Sequence, residues 1–278
     1  MAYIDISPEG VPRLDDMPQL GLGTWQNTDP QQCAESVRKA LEMGYRHVDT
    51  AQAYGNESPV GKGMSEAEVP RDEVFLATKI DIKNLSYDDV LRTAEESMEK
   101  LDVEYIDLLY VHWPAHSYDP EDTLPAFNEL QDDGKIRYVG VSNFTQDHVR
   151  EAEEVLESEI FANQIEMHPL LYQEEMLEHS RESGYHIVAY SPLARGRIFD
   201  VPEVSEIAEK HDASEAQVSL AWIREKGAAA IPKGTTENHI GDNLESILLD
   251  LDEEDIEKID SIERKERLID PSFSPNSW

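Results

Sequence analysis

Short apolar runs alternate with longer amphipathic stretches along most of the 278-residue chain. Seven runs read as strands: residues 45–49, 74–79, 105–112, 137–142, 161–166, 186–191 and 228–233. They are rich in Val, Ile and aromatics, as strands buried on both faces are. Residues 18–23 form a weaker eighth run at the start. Between them lie helical patterns. Asp29-Pro30 supplies a cap and a first-turn proline, Cys33, Val37, Ala40 and Leu41 share one face, and Gly44 closes the segment. Ser86 to Asp89 and Ser214 to Gln217 read as capping boxes, and Thr145, Gln173 and Asn238 precede similar stretches. One wide gap before the last strand leaves room for a long loop after Ser191.

Eight strands alternating with helices predict an α/β fold, a single (β/α)8 TIM barrel taking residues 1–278 as one domain. The rival, an open doubly wound sheet, usually carries G-x-G-x-x-G after its first strand. The first strand here reads Gly21-Leu22-Gly23-Thr24-Trp25-Gln26, which fails that pattern.

Composition narrows the setting. No apolar run approaches a membrane span, and residues 1–10 lack a basic-then-apolar leader. Cys33 is the only cysteine, so an intrachain disulfide is excluded and a reducing cytoplasm fits. With 24 basic and 59 acidic residues the net charge is −35. Such a field repels nucleic acid and anionic membranes, and its self-repulsion calls for screening by salt. A salt-adapted, halophilic source is expected, and the partners expected are small molecules rather than nucleic acid or membrane, with the chain a monomer.

Barrel chemistry gathers at the C-terminal ends of the strands. Those ends are Asp49, Lys79, His112, Ser142-Asn143, Gln164, Tyr190-Ser191 and Lys233, with Tyr54 five residues past Asp49. Asp49, Tyr54, Lys79 and His112 together suit delivery of a proton to an oxygen that gains negative charge. A phenol is a weak acid at neutral pH; a nearby ammonium lowers its pKa, and a carboxylate keeps that ammonium charged. Each residue alone has a plainer reading: a buried ion pair, a packed aromatic, a core histidine. A metal-dependent barrel hydrolase would draw instead on Asp49, His112, Glu166 and His168, but Lys79 would repel the cation, and no metal is expected. A binding protein that senses nicotinamide without turnover is the non-enzymatic alternative. Trp25 and Trp113 stand where they could wall a substrate pocket, and His47 shares a strand face with Asp49.

Several blocks carry a resemblance. Gly44-Tyr45-Arg46-His47-Val48-Asp49-Thr50-Ala51 with Tyr54-Gly55-Asn56-Glu57 resembles the first signature of the aldo-keto reductase family. Val111-His112-Trp113-Pro114, Gly140-Val141-Ser142-Asn143-Phe144, Asn163-Gln164-Ile165-Glu166-Met167-His168-Pro169, Tyr190-Ser191-Pro192-Leu193 and Ile231-Pro232-Lys233-Gly234 follow in the family's order. The chain looks most like prokaryotic members of the 2,5-diketo-gluconate reductase type. The resemblance implies NAD(P)H-dependent reduction of an aldehyde or ketone to an alcohol. It implies Tyr54 as proton donor, Lys79 lowering its pKa, Asp49 holding Lys79, and His112 orienting the carbonyl. Trp25, Tyr54, His112 and Trp113 would meet the substrate. Thr24, Trp25, Asp49, Ser142, Asn143, Gln164, Tyr190, Ser191, Leu193, Ile231, Lys233, Gly234, Thr235, His239, Asp242 and Asn243 would bind the cofactor. Members usually carry Ser or Thr and then Arg where this chain has Gly234 and His239. NADPH is the expected cofactor, with NADH open.

Overall fold

In the computed structural model, residues 7–275 are described; the leader expectation for residues 1–6 lies outside them. A hairpin comes first, β1 (Arg13–Leu14) antiparallel to β2 (Met17–Pro18). Eight parallel strands follow: β3 (Leu22–Gly23), β4 (His47–Asp49), β5 (Phe75–Ile80), β6 (Ile106–Val111), β7 (Ile136–Ser142), β8 (Ile160–Glu166), β9 (His186–Tyr190) and β10 (Ala229–Ala230). Each pairs with its neighbour in sequence. Leu20 bridges Ala230, and Gly23 bridges Lys233, in parallel, so the first strand meets the last and the (β/α)8 barrel closes. Gly23 allows that closure. A Cβ there would lie 2.5 Å from the Ile231 carbonyl oxygen, so any side chain would hold the edges apart.

Period two fixes the interior. Phe75 and Ala77 of β5, Leu108 and Tyr110 of β6, Ala162 of β8 and Val188 of β9 form one buried cluster inside the barrel. Met17 of the hairpin, fully buried, fills the same cluster from the N-terminal end. Asp16 accepts hydrogen bonds from Arg137 (2.7 Å) and Tyr138 (2.8 Å), and Asp15 pairs with His186 (2.8 Å). These contacts pin the hairpin across the barrel's lower end.

The helices are α1 (Pro30–Glu42), α2 (Glu57–Glu66), α3 (Tyr87–Leu101), α4 (Pro120–Asp132), α5 (Gln146–Glu153), α6 (Glu174–Ser183), α7 (Pro202–His211), α8 (Glu215–Glu225), α9 (Glu237–Glu245) and α10 (Glu253–Asp260). Asp29 caps α1 through the Gln32 N–H, and Ser214 and Gln217 form a full capping box on α8. Ser86 differs from expectation: its hydroxyl donates to the Asp89 carboxylate and caps no backbone N–H. Asn238 lies inside α9, which Thr236 caps. Cys33 is buried on the apolar face of α1, where burial pushes its thiol up to about 11. The wide gap after Ser191 is no plain loop. A 3-10 segment, Ala194–Asp200, and the helix pair α7–α8 fill it. Among the described residues no helix is long and apolar enough to cross a membrane.

Candidate active site

Continuing each inward column past the apolar cluster leads to the polar residues. Phe75 and Ala77 are followed by Lys79, Leu108 and Tyr110 by His112, Ala162 by Gln164 and Glu166, and Val188 by Tyr190. Asp49 pairs in register with Ala77, so Lys79, two residues on, stands over it on the same face. Lys79 Nζ donates to Asp49 Oδ1 at 2.5 Å and to the Thr50 carbonyl at 2.8 Å. Both charged side chains are 1% exposed. Burial pulls the ammonium below its usual pKa, and Asp49 works against that shift. Gln164 Nε2 donates to the other carboxylate oxygen at 2.8 Å, and Thr24 Oγ1 to the Asp49 carbonyl at 3.0 Å.

Tyr54 ends a 3-10 turn, Gln52–Tyr54, that follows β4. Gly55 takes φ 66° directly after it, the left-handed conformation that glycine adopts without strain. The Tyr54 ring meets the His112 ring edge-on at 5.8 Å and 77°, and Lys79 Nζ lies 5.2 Å from the centre of the phenol ring. The ammonium is committed to Asp49 and Thr50. Burial, with Asp49 and Tyr190 adding to it, holds the phenol well above its ordinary pKa. The shift is thus opposite to the lowering expected from Lys79. His112 is driven down to about 3 by burial and by Lys79, so its imidazole is neutral at physiological pH.

A second polar group adjoins the first. Ser142 Oγ donates to the Gln164 carbonyl (2.9 Å), Asn143 Nδ2 to the His112 carbonyl (3.1 Å), and the Tyr190 hydroxyl to Asn143 Oδ1 (2.8 Å). Asn143 and Ser191 are non-glycine residues at φ 64° and 49°. Such positions cost energy and gather at functional sites.

Asp49, Tyr54, His112, Ser142, Asn143, Gln164, Tyr190 and Ser191 line a cavity of about 820 Å³ at the C-terminal mouth, whereas Lys79, buried against Asp49, is not among its walls. Its walls include Thr24, Trp25, Ser191, Leu193, Ile231, Lys233, His239 and Trp113, all expected there. Gly234, Thr235, Asp242 and Asn243 are not among its walls. Asp242 is engaged by Ser214 Oγ (2.8 Å) and Gln217 Nε2 (2.9 Å) on α8. The glycine at 234 has a local reason: a Cβ there would lie 2.8 Å from Ile240 Cγ1. Of the residues of the metal reading, Asp49 is bonded to Lys79, and Glu166 and His168 bond each other at 3.0 Å. Among the described residues no cluster of His, Cys, Asp and Glu could hold a metal ion. His47 packs in the barrel, with Nδ1 3.1 Å from the Pro18 carbonyl.

Two groups of wall residues escaped sequence reasoning. Arg195, Gly196 and Phe199 come from the 3-10 segment, with the Arg195 guanidinium 4.4 Å from the Trp25 ring centre. Leu268, Ile269, Asp270, Pro271 and Phe273 come from the C-terminal tail. The one available signal was period two in β8, which puts Glu166 on the inward face beyond Gln164.

The cavity fits a dinucleotide. It offers amide and hydroxyl groups on the floor, the Tyr190 ring, and the cations Arg195 and Lys233. In a chain with 59 acids against 24 bases, its walls carry two of each, Asp49 and Asp270 against Arg195 and Lys233.

The sequence pattern of the Aldo/keto reductase family matches residues 19–264. The chain belongs to the aldo/keto reductase family. The reductase is 38% identical to the glyoxal reductase of Bacillus subtilis over 253 residues, 91% of each chain. It is 37% identical to a methylglyoxal reductase of Escherichia coli O157:H7, over 94% of this chain and 99% of that one. The crystal structure of a Bombyx mori aldo-keto reductase in complex with NADP superposes with a TM-score of 0.87 at 30% identity, covering 94% of both chains. The reductase is thus an oxidoreductase that uses a nicotinamide cofactor to reduce carbonyl compounds to alcohols.

Proposed function

We propose that the reductase reduces small aldehydes, 2-oxoaldehydes foremost, with Tyr54 as proton donor and NADPH as preferred cofactor. The observation that carries this is the phenol and imidazole meeting edge-on above the buried Asp49–Lys79 pair, on the floor of the cavity. When bound, a reduced nicotinamide supplies the hydride. Ser142, Asn143 and Gln164 would hold its carboxamide, and Tyr190 would stack on the ring. Ser191 and Leu193 would follow the pyrophosphate, with Ile231, Lys233, Gly234, Thr235, His239, Asp242 and Asn243 toward the adenosine end. Neutral His112 hydrogen-bonds the substrate carbonyl, and Tyr54, protonated throughout the neutral range, gives its proton to the oxygen. Trp25 and Trp113 wall the substrate. The names of the B. subtilis and E. coli relatives support the substrate class. The test is a panel of aldehydes and ketones assayed with NADPH and NADH. Failure to turn over 2-oxoaldehydes with either cofactor would overturn the reading.

Cofactor choice turns on His239, an exposed wall residue. A guanidinium is always charged and grips a phosphate by two parallel bonds, a geometry an imidazole ring lacks. His239→Arg is expected to raise the NADPH-to-NADH ratio of kcat/KM about tenfold, from one charge-assisted contact. An unchanged ratio would place His239 away from the 2′ position and leave NADH as the equal partner.

The same reading takes residues 1–278 as one monomeric barrel domain working in a salt-rich cytoplasm. Like charges crowd the folded surface, and unfolding spreads them apart. At about 0.01 M salt the Debye length is near 30 Å, so repulsion reaches many neighbours; at 1 M it is near 3 Å. The melting temperature and activity are therefore expected to rise together from low to molar KCl. A flat or falling melting curve would remove the salt-adapted assignment.

A further inference from the structure

Glu166 is a fully buried carboxylate that the chemistry above does not use. It ends β8 on the inward face and is 0% exposed, as is His168. Its carboxylate accepts three hydrogen bonds. Oε1 takes the Leu268 N–H at 2.8 Å and faces His168 Nε2 at 3.0 Å, and Oε2 takes the Ile269 N–H at 2.9 Å. The side chain thus reaches 102 and 103 residues along the chain to hold two consecutive backbone amides. Nearby, the Glu266 N–H donates to the Leu170 carbonyl at 2.7 Å, fixing the segment that leads into those two residues.

Beyond those two amides the tail crosses the mouth. Phe273 meets the Trp113 ring edge-on at 5.4 Å and 90°, and the His116 ring at 5.5 Å. Leu268, Ile269, Pro271 and Phe273 all wall the cavity. An apolar wall of this kind contacts a large planar substrate and leaves a three-carbon aldehyde largely untouched.

We infer that Glu166 is a positioning residue for this reductase: by anchoring the backbone of Leu268 and Ile269 it builds the tail into a wall that recognises aromatic carbonyl substrates. This rests on the carbonyl-reductase reading above, and extends its substrate range to bulky apolar aldehydes. The chemistry of the anchor is specific. A carboxylate is all acceptor, whereas a glutamine amide presents one acceptor and one donor group. In Glu166→Gln the NH2 group must therefore face an N–H of the tail or His168, and at least one anchoring bond is lost.

The test uses the full chain and two readouts, amide hydrogen exchange by NMR and steady-state kinetics with 2-naphthaldehyde and methylglyoxal. In the wild type the Leu268 and Ile269 amides are expected to exchange far more slowly than free-chain amides. In Glu166→Gln their exchange accelerates, and KM for 2-naphthaldehyde rises about tenfold, as expected for a lost charge-assisted bond. The kcat on 2-naphthaldehyde and the kinetics on methylglyoxal hold. Glu166→Asp keeps both acceptor oxygens and shows the same pattern with a smaller rise, so it carries the test if Glu166→Gln does not fold. Unprotected Leu268 and Ile269 amides in the wild type would overturn the inference. So would faster exchange in the variants with an unchanged ratio of the two KM values. Exchange is read without turnover, so a wild type inactive on both aldehydes would strike the function and leave the anchor to be judged by its amides.

Discussion

Tyr54→Phe is expected to lower kcat/KM about a thousandfold, within the 10²–10⁴ span typical of general acids. The change removes one hydroxyl and keeps the ring against His112 and Lys79. Cofactor affinity, read by fluorescence titration, should hold, because the groups expected to grip the cofactor are elsewhere. The raised phenol pKa is compatible with this role. The alkoxide forming on a reduced carbonyl is a far stronger base than the carbonyl oxygen it replaces, and a phenol held protonated is there to meet it. With the phenol held above its ordinary pKa and His112 near 3, neither changes protonation across the neutral range. The wild-type reduction rate is therefore expected to be level from about pH 6 to 9, above the His112 value and below the ordinary range of a phenol. Substantial turnover by Tyr54→Phe would remove Tyr54 as the donor.

Lys79→Met is expected to fail twice, in activity and in stability. It leaves the Asp49 carboxylate 1% exposed with only Gln164 donating to its side chain. Breaking one side of a buried ion pair typically costs about 3–5 kcal/mol, because a charge is stranded. The urea midpoint is expected to fall accordingly. Replacing both partners, as in Asp49→Leu with Lys79→Met, removes the stranded charge and is expected to recover much of that loss while activity stays absent. A double variant no more stable than the single one would show that the pair itself, rather than its isolated half, stabilises the barrel.

Much of this site was legible because strands have period two. Lys79, His112, Gln164 and Tyr190 could be placed on inward columns from the apolar residues beneath them, and the structure brings the last three to one cavity, with Lys79 buried against its wall residue Asp49. The segment after Ser191 was not legible, since a run without apolar alternation gives no hint that it folds into a 3-10 segment before α7. The substrate wall was hidden for another reason. Leu268 to Phe273 have no regular pattern, and what places them is a carboxylate 102 residues away. Nothing in the spacing of Glu166 and His168 distinguished an anchor for backbone amides from a pair of metal ligands. The Ser86 cap was misjudged on chemistry, because the Asp89 carboxylate competes for the hydroxyl that a helix terminus would otherwise use.

The hairpin that stops the barrel's lower end governs traffic. With Met17 buried in the interior and Asp15 and Asp16 tied to His186, Arg137 and Tyr138, nothing passes through that end. Among the described residues the cavity has its walls at the opposite, C-terminal mouth, with Trp25 and the tail among them. Of these walls Asp49 and Gln164 are buried, and Phe273 is half-buried. Whatever seats itself on the deep floor has to arrive first and depart last, because a companion nearer the rim bars its way. Crowding that mouth with carbonyl compound therefore delays renewal of the deeper occupant, and turnover slows at high substrate through queuing alone.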